Sequence, residues 1–298
     1  MAVSTGTPAS EEATPPRTRT SPPPPPVHRD RALSLVWGIL AKGFVLLGMI
    51  FLIAPLVAVF LASFNPRGSV RVPPTTWTLE SYSNISPRLY EAFVVSVQVG
   101  LMATLLAILL VVPSAFGLVR GLRRGRVFAE ATFRSPIQVP QIVLGVSAFA
   151  FFFLLGRELG IPLVGSTWGL VLAHVILVSP FIISTVLASV QSLDPEMELA
   201  AKGLGASSRM VIWRVLVPAI RQSVLAAALL SFLISFDNVP VSLFLSGSGA
   251  TTLPVALFFE SLTDLTPALY AGAALTVLVT LVITMVVDRI LGLRKTLR

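Results

Sequence analysis

Apolar residues run along this chain in six long blocks, at about 43–63, 93–119, 137–156, 168–190, 222–246 and 269–288, and polar residues collect between them. Roughly 20 consecutive apolar residues in a helix are enough to cross the hydrocarbon core of a bilayer. The pattern therefore predicts an all-α fold: a polytopic membrane protein with six transmembrane helices over residues 33–298. Six apolar core helices of a soluble protein would need polar sequence to cover them, and little is left over. Lys42 stands at the first boundary, where its stem can reach the headgroups. The first apolar run begins near Leu33, too far along for a cleavable leader.

Residues 1–32 behave differently. "STGTPASEEATPPRTRTSPPPPPVHRD" holds almost nothing apolar, so it cannot bury enough surface to offset its ordering entropy. A disordered tail is expected, with Pro22–Pro26 in polyproline II; a recognition tail for a proline-binding partner is the other reading.

Composition agrees with lipid as solvent, since 54% of residues are hydrophobic and 12% charged, against about a quarter charged in soluble domains. Cysteine is absent, which removes disulfides and thiolate metal sites. The net charge of +8 raises the question of nucleic acid, which the positions of the cations answer. With the N-terminus inside, 17 of the 22 Lys and Arg fall in inside segments and 4 outside, with Lys42 at the boundary. That is the positive-inside asymmetry of a membrane protein with both termini cytoplasmic, and it accounts for the basic charge without nucleic acid.

One inside segment is out of keeping with its surroundings: "DPEMELAAKGLGASSRMVIWRVLVP", residues 194–218. Asp194 followed by Pro195 reads as a helix start, with Glu196 and Glu198 in the favoured first turn. Ala200 and Ala201 let another surface approach. Gly203 and Gly205 loosen the helix, and Gly205 suits a positive-φ turn. A second short helix is expected from about Ser207 to Val217, with Pro218 opening the next span. Met210, Ile212 and Trp213 form an apolar patch, which either lies on lipid or docks a partner.

The same segment resembles the "EAA" loop of ABC importer permeases, in which E-A-A is followed by three residues, Gly, nine residues and I-x-L-P. Ala200, Ala201, Gly205 and Pro218 fall in register, with Val215 and Val217 in the last two apolar places. Leu199 occupies the glutamate position, and Glu198 stands one residue early. Around it, "PRLYEAFVVSVQVGLMATLLAILLVVPSAFGLVRG" is similar to the family's second span and "PQIVLGVSAFAFFFLLG" to its third, with Gln141 where relatives often have an acid. "LAHVILVSPFIIS", "SFLISFDNVPVSLFLSGSGATTLPVALF" and "SFNPRGSVRVPPTTWTLESY" resemble the polyamine branch, as in spermidine/putrescine permeases.

This resemblance, over about residues 40–290, implies a loop at about 192–220 whose coupling helices dock on an ATP-binding subunit through Glu198, Ala200, Ala201, Gly205 and Arg209. It further implies two ATP-binding subunits, a second permease subunit that is either another copy or, as favoured, a homologous different chain, an extracytoplasmic solute-binding protein, and surrounding lipid of an inner membrane. No cofactor is expected on this chain, with ATP and Mg used by the partner ATPase.

The residues offer no motor of their own. "GILAKGF" at 38–44 has the GxxxxG spacing, but Phe44 stands where a phosphate-binding loop needs lysine, and HExxH and GxSxG motifs are absent. The chain is thus not expected to be an enzyme. A secondary carrier driven by an ion gradient is the alternative, although no internal repeat supports it. Within the spans, His174 reads more simply as a hydrogen-bonded residue than a ligand. Ser235, Asp237 and Asn238, in "SFDNVP", precede Pro240, which must break the helix; they either satisfy that break or, Asp237 and Asn238 with Gln141, line a translocation path suited to cations. Glu260 and Asp264, outside, are either solvated or draw cations toward the mouth.

Overall fold

The computed structural model describes residues 31–66, 68, 70–122 and 124–291. The tail expected at 1–32 therefore lies outside the described residues up to position 30. Among the described residues the regular structure is helical, with no strand beyond an isolated bridge between Gly247 and Ala250.

The chain divides into residues 1–53 and 54–298. The described part of the first unit is the larger share of α1 (Arg31–Ser63), and its apolar side chains, Trp37, Phe44 and Phe51 among them, are exposed. A helix that is apolar all round suits hydrocarbon as its solvent.

In the second unit a short α2 (Glu80–Ser83) precedes α3 (Pro87–Phe116), which continues as a π-turn over Gly117–Gly121. Next come α4 (Arg126–Arg134), α5 (Gln141–Leu159) and α6 (Thr167–Gln191). The short α7 (Pro195–Gly203) and α8 (Ser208–Val211) follow, and a π-turn at Ile212–Leu216 leads into α9 (Val217–Phe236). The last three helices are α10 (Pro240–Leu245), α11 (Leu253–Thr263) and α12 (Pro267–Leu291).

Six of these helices are long and apolar enough to cross a membrane: Val36–Ser63, Pro87–Gly121, Gln141–Leu159, Thr167–Gln191, Ser208–Phe236 and Pro267–Val287. Each coincides with one predicted run. The second begins earlier than expected because Ser86 caps it, its hydroxyl accepting the Leu89 N–H at 3.3 Å, with Pro87 at the first position. The fifth does not reach residue 246. It stops at Phe236, and Pro240, which has no N–H to donate, opens the separate α10.

The core is formed by α3, α6 and α9, which pack on one another. On α3 the buried face runs Ala92, Ser96, Val99, Gly100, Ala103, Ala107 and Val111, a spacing of three and four. Small residues there let neighbouring backbones come close, and close packing replaces the hydrophobic drive that lipid cannot supply. A Cβ on Gly100 would stand 2.9 Å from the Phe232 ring of α9, so glycine is needed at that crossing.

Candidate functional site

The segment at 194–218 folds into a corner at the arginine-rich end of the second unit. Asp194 caps α7, its Oδ1 accepting the Glu196 N–H at 2.9 Å, and Pro195 fills the first position. Glu196 and Glu198 lie in the first turn and Lys202 in the last, each matched to the helix dipole. The far end closes as a Schellman motif: Gly205 N–H donates to Lys202 O at 2.9 Å and Ala206 N–H to Ala201 O at 3.1 Å. Gly205 has φ +88°, with no atom within 4 Å of the place a Cβ would take, so the demand for glycine is one of backbone conformation and not of space.

Beyond the corner Ser207 caps α8, accepting the Met210 N–H at 3.3 Å. The second short helix expected at Ser207–Val217 is not a separate element. It is the first turns of the fifth span, joined through the π-turn in which Val217 N–H donates to Ile212 O. That wider turn makes room for the Pro218 ring, which an α-turn would set against the Arg214 carbonyl.

The corner is apolar on its outer surface. Leu204 at its apex is 91% exposed, Leu199 67% and Trp213 63%, and Met210 is exposed as well. Ala201, Leu204, Gly205, Ala206, Met210 and Arg214 line a shallow depression of about 310 Å³. Ala200 and Arg209 are exposed beside it. Glu198 differs: its Oε1 lies 2.7 Å from Arg120 Nε on the π-turn that ends α3, an ion pair without the alignment of a hydrogen bond. Lys202 Nζ stands 4.0 Å from its other oxygen.

The three polar residues near the helix break separate into two groups. Asn238 Nδ2 donates to Gln141 Oε1 at 2.9 Å, while its Oδ1 accepts the Val241 N–H at 2.9 Å and so starts α10. Beside this pair, fully buried His174 reaches Ser235 Oγ from Nδ1 at 2.6 Å and Ser242 Oγ from Nε2 at 3.0 Å, as a hydrogen-bonded histidine should. This network pins α5, α6, α9 and α10 together. Asp237 is not in it. Its carboxylate is exposed and accepts from Thr280 Oγ1 at 3.2 Å and 3.4 Å, near the middle of α12.

At the opposite end, Glu260 Oε1 accepts from Ser86 Oγ at 3.2 Å, and Asp264 lines a cleft of about 610 Å³ with Gly68, Val70, Ser81, Asn84 and Leu265. The loop before it is built around buried Asn65, which donates to Ala62 O and Arg71 O, both at 2.9 Å, and accepts the Arg71 N–H. Sequence reasoning did not find Arg120, Thr280 or Ser242. Each is an ordinary residue for its helix, and only the tertiary fold supplies its partner. Among the described residues no group of three or more His, Asp or Glu side chains is placed to hold a metal ion.

The described residues thus hold six helices long and apolar enough to cross a membrane, a buried core of α3, α6 and α9, and an apolar corner between the fourth and fifth of those helices. The chain belongs to the family of binding-protein-dependent transport system inner membrane components, which matches residues 44–296. It is 30% identical to the spermidine/putrescine transport system permease protein PotC of Haemophilus influenzae, covering 81% of this chain and 92% of that one. It is 29% identical to the putrescine transport system permease protein PotI of Escherichia coli K12, covering 77% and 83%. A bacterial ABC transporter that imports the acidic polysaccharide alginate has the same fold: TM-score 0.71 at 15% identity, over 87% of this chain and 97% of that one. The protein is thus the permease subunit of an ABC importer, a multi-pass inner-membrane protein and not an enzyme; ATP is hydrolysed by a separate subunit.

Proposed function

We propose that this permease conducts a small cationic amine, of the putrescine and spermidine class, and that residues 194–218 are the handle by which an ATP-binding subunit moves it. The observation that carries the docking reading is the corner itself. A Schellman-capped turn holds Leu204 almost wholly exposed next to Leu199, Met210 and Trp213, and an exposed apolar patch of this kind with a polar surround is a protein-binding surface. Ala200, Ala201 and Gly205 keep the approach low, and Arg209 stands at its rim.

The substrate reading draws on the names of the relatives and on Asp237. An exposed carboxylate just past the end of the fifth span, bonded to Thr280 near the middle of α12, is costly to leave in hydrocarbon; facing the path, it attracts ammonium groups. Gln141 and Asn238 shape the wall behind it. Both termini and the corner are cytoplasmic, by the arginine asymmetry. A second, homologous permease chain completes the path, two ATP-binding subunits clasp the two corners, and a solute-binding protein delivers substrate outside. Closure of the ATPases draws the corners together and turns the path outward.

The experiment is reconstitution of the tagged chain with its co-purifying subunits in proteoliposomes, followed by putrescine uptake with and without internal ATP. Uptake that requires ATP, retained ATP-binding subunits and the binding protein is expected. Uptake by this polypeptide alone, abolished by an ionophore and indifferent to ATP, would establish an ion-driven carrier instead.

A further inference from the structure

The Glu198 carboxylate is engaged within the chain. Its Oε1 lies 2.7 Å from Arg120 Nε, and the two side chains are 17% and 28% exposed. Less water screens such a pair than one at the open surface, so it resists separation better. It joins α7 to the end of α3, two elements far apart in sequence. The position of the acid explains how this comes about. Adjacent residues on a helix point about 100° apart. Leu199, in the motif's glutamate place, faces outward at 67% exposed, while the acid one residue earlier turns toward α3.

Two π-turns frame the same corner. One, Gly117–Gly121, ends α3 and carries Arg120; the other, Ile212–Leu216, leads from α8 into α9. Both α3 and α9 pack on α6. π-turns are local departures from α-helical bonding that recur where a helix has to adjust for function.

We infer that Arg120 and Glu198 form a strut, with Arg120 a positioning residue that carries displacement of α7 into the second span, while the π-turn at Ile212–Leu216 passes the motion of α8 into the fifth. This rests on the reading of residues 194–218 as the docking segment. Glu198 then acts inside the permease, and the docking face proper is the apolar set of Leu199, Leu204, Met210 and Trp213.

The test uses the whole complex in proteoliposomes, with putrescine as the transported probe. Wild type is compared with Arg120→Ala, Arg120→Lys, Glu198→Ala and the exchanged double variant Arg120→Glu/Glu198→Arg. Three quantities are read: ATP-binding subunit retained, ATP hydrolysed, and putrescine moved per ATP. The alanine variants should keep the subunit yet move about three- to ten-fold less putrescine per ATP, a loss the exchange largely restores and Arg120→Lys largely avoids. Should Glu198→Ala shed the ATP-binding subunit without recovery in the exchange, the acid belongs to the docking face and the strut is overturned. It is overturned equally if both alanine variants transport like wild type. The wild-type control separates the two ideas: a wild-type complex that retains no ATP-binding subunit overturns the docking reading and the strut with it, whereas a normal wild-type complex whose alanine variants transport just as well overturns the strut alone.

Discussion

Replacing Gly205 by valine tests the corner through its backbone alone. Gly205 sits at φ +88°, and no atom beyond its chain neighbours lies within 4 Å of where a Cβ would stand, so an added Cβ meets no clash. Its cost is conformational: an L-residue held in the left-handed region loses about 1–2 kcal/mol, and a β-branched one more. If the turn opens to escape that cost, the bonds Gly205 N–H to Lys202 O and Ala206 N–H to Ala201 O break as well, each with a net contribution of about 0.5–1.5 kcal/mol. Either way the apex that presents Leu204 shifts or is held less firmly. A penalty of about 2 kcal/mol weakens docking about 30-fold. Asparagine enters the left-handed region readily, so Gly205→Asn should cost far less. The assay is retention of the ATP-binding subunit on a tagged chain solubilised in mild detergent, with monodispersity of the permease as the folding control. Gly205→Val should retain at least about ten-fold less subunit, and Gly205→Asn should stay close to wild type. Equal behaviour of the two variants would refute the reasoning, because the left-handed conformation would then not be what the corner requires.

Other outcomes follow from the same geometry. A methyl group on Gly145 would stand 2.9 Å from Pro240 O and 3.1 Å from Val241 Cα, atoms that cannot swing aside, so Gly145→Ala should displace α10 at a cost of about 1–3 kcal/mol, read as a lower thermal midpoint in detergent. Asn238→Leu strands the buried Val241 N–H, a loss of about 1–3 kcal/mol, whereas Gln141 is exposed and can turn to water, so Asn238→Leu should destabilise more than Gln141→Ala in the same measurement. Asp237→Asn should leave assembly intact while lowering putrescine uptake about ten-fold or more, as expected from removing a charge-assisted contact; unchanged uptake would leave Asp237 with only its bond to Thr280.

The spans were legible because hydrocarbon demands unbroken apolar runs, and all six appear in the fold. Their ends were less so. The start at Pro87 depends on the Ser86 cap, and the stop at Phe236 on a proline four residues beyond. The corner was legible for a local reason: Asp194–Pro195 and Gly205 act on their immediate neighbours, so their residue types carry the geometry. The joining of α8 to α9 was missed, because Pro218 reads as a boundary unless the preceding turn is known to be wide. What could not be read were the long-range pairings, Arg120 with Glu198, Thr280 with Asp237, and Ser235 and Ser242 with His174. Each side chain is satisfied by a helix distant in sequence, and hydropathy carries no information on which helices meet. The grouping of Gln141 with Asp237 and Asn238 divides for the same reason, since Asn238 is buried and turns toward α5 while Asp237 is exposed on the side of α12.

Because the chain contains no cysteine, a single Leu204→Cys variant carries one unique thiol at the apex of the corner. In sealed inside-out vesicles containing the assembled complex, a short bifunctional reagent on that thiol should join this chain to an ATP-binding subunit, in a yield that changes when ATP is added. A thiol that labels only from the opposite face of the membrane, or that captures only lipid, would contradict the assignment of residues 194–218 as the point where the motor grips the permease.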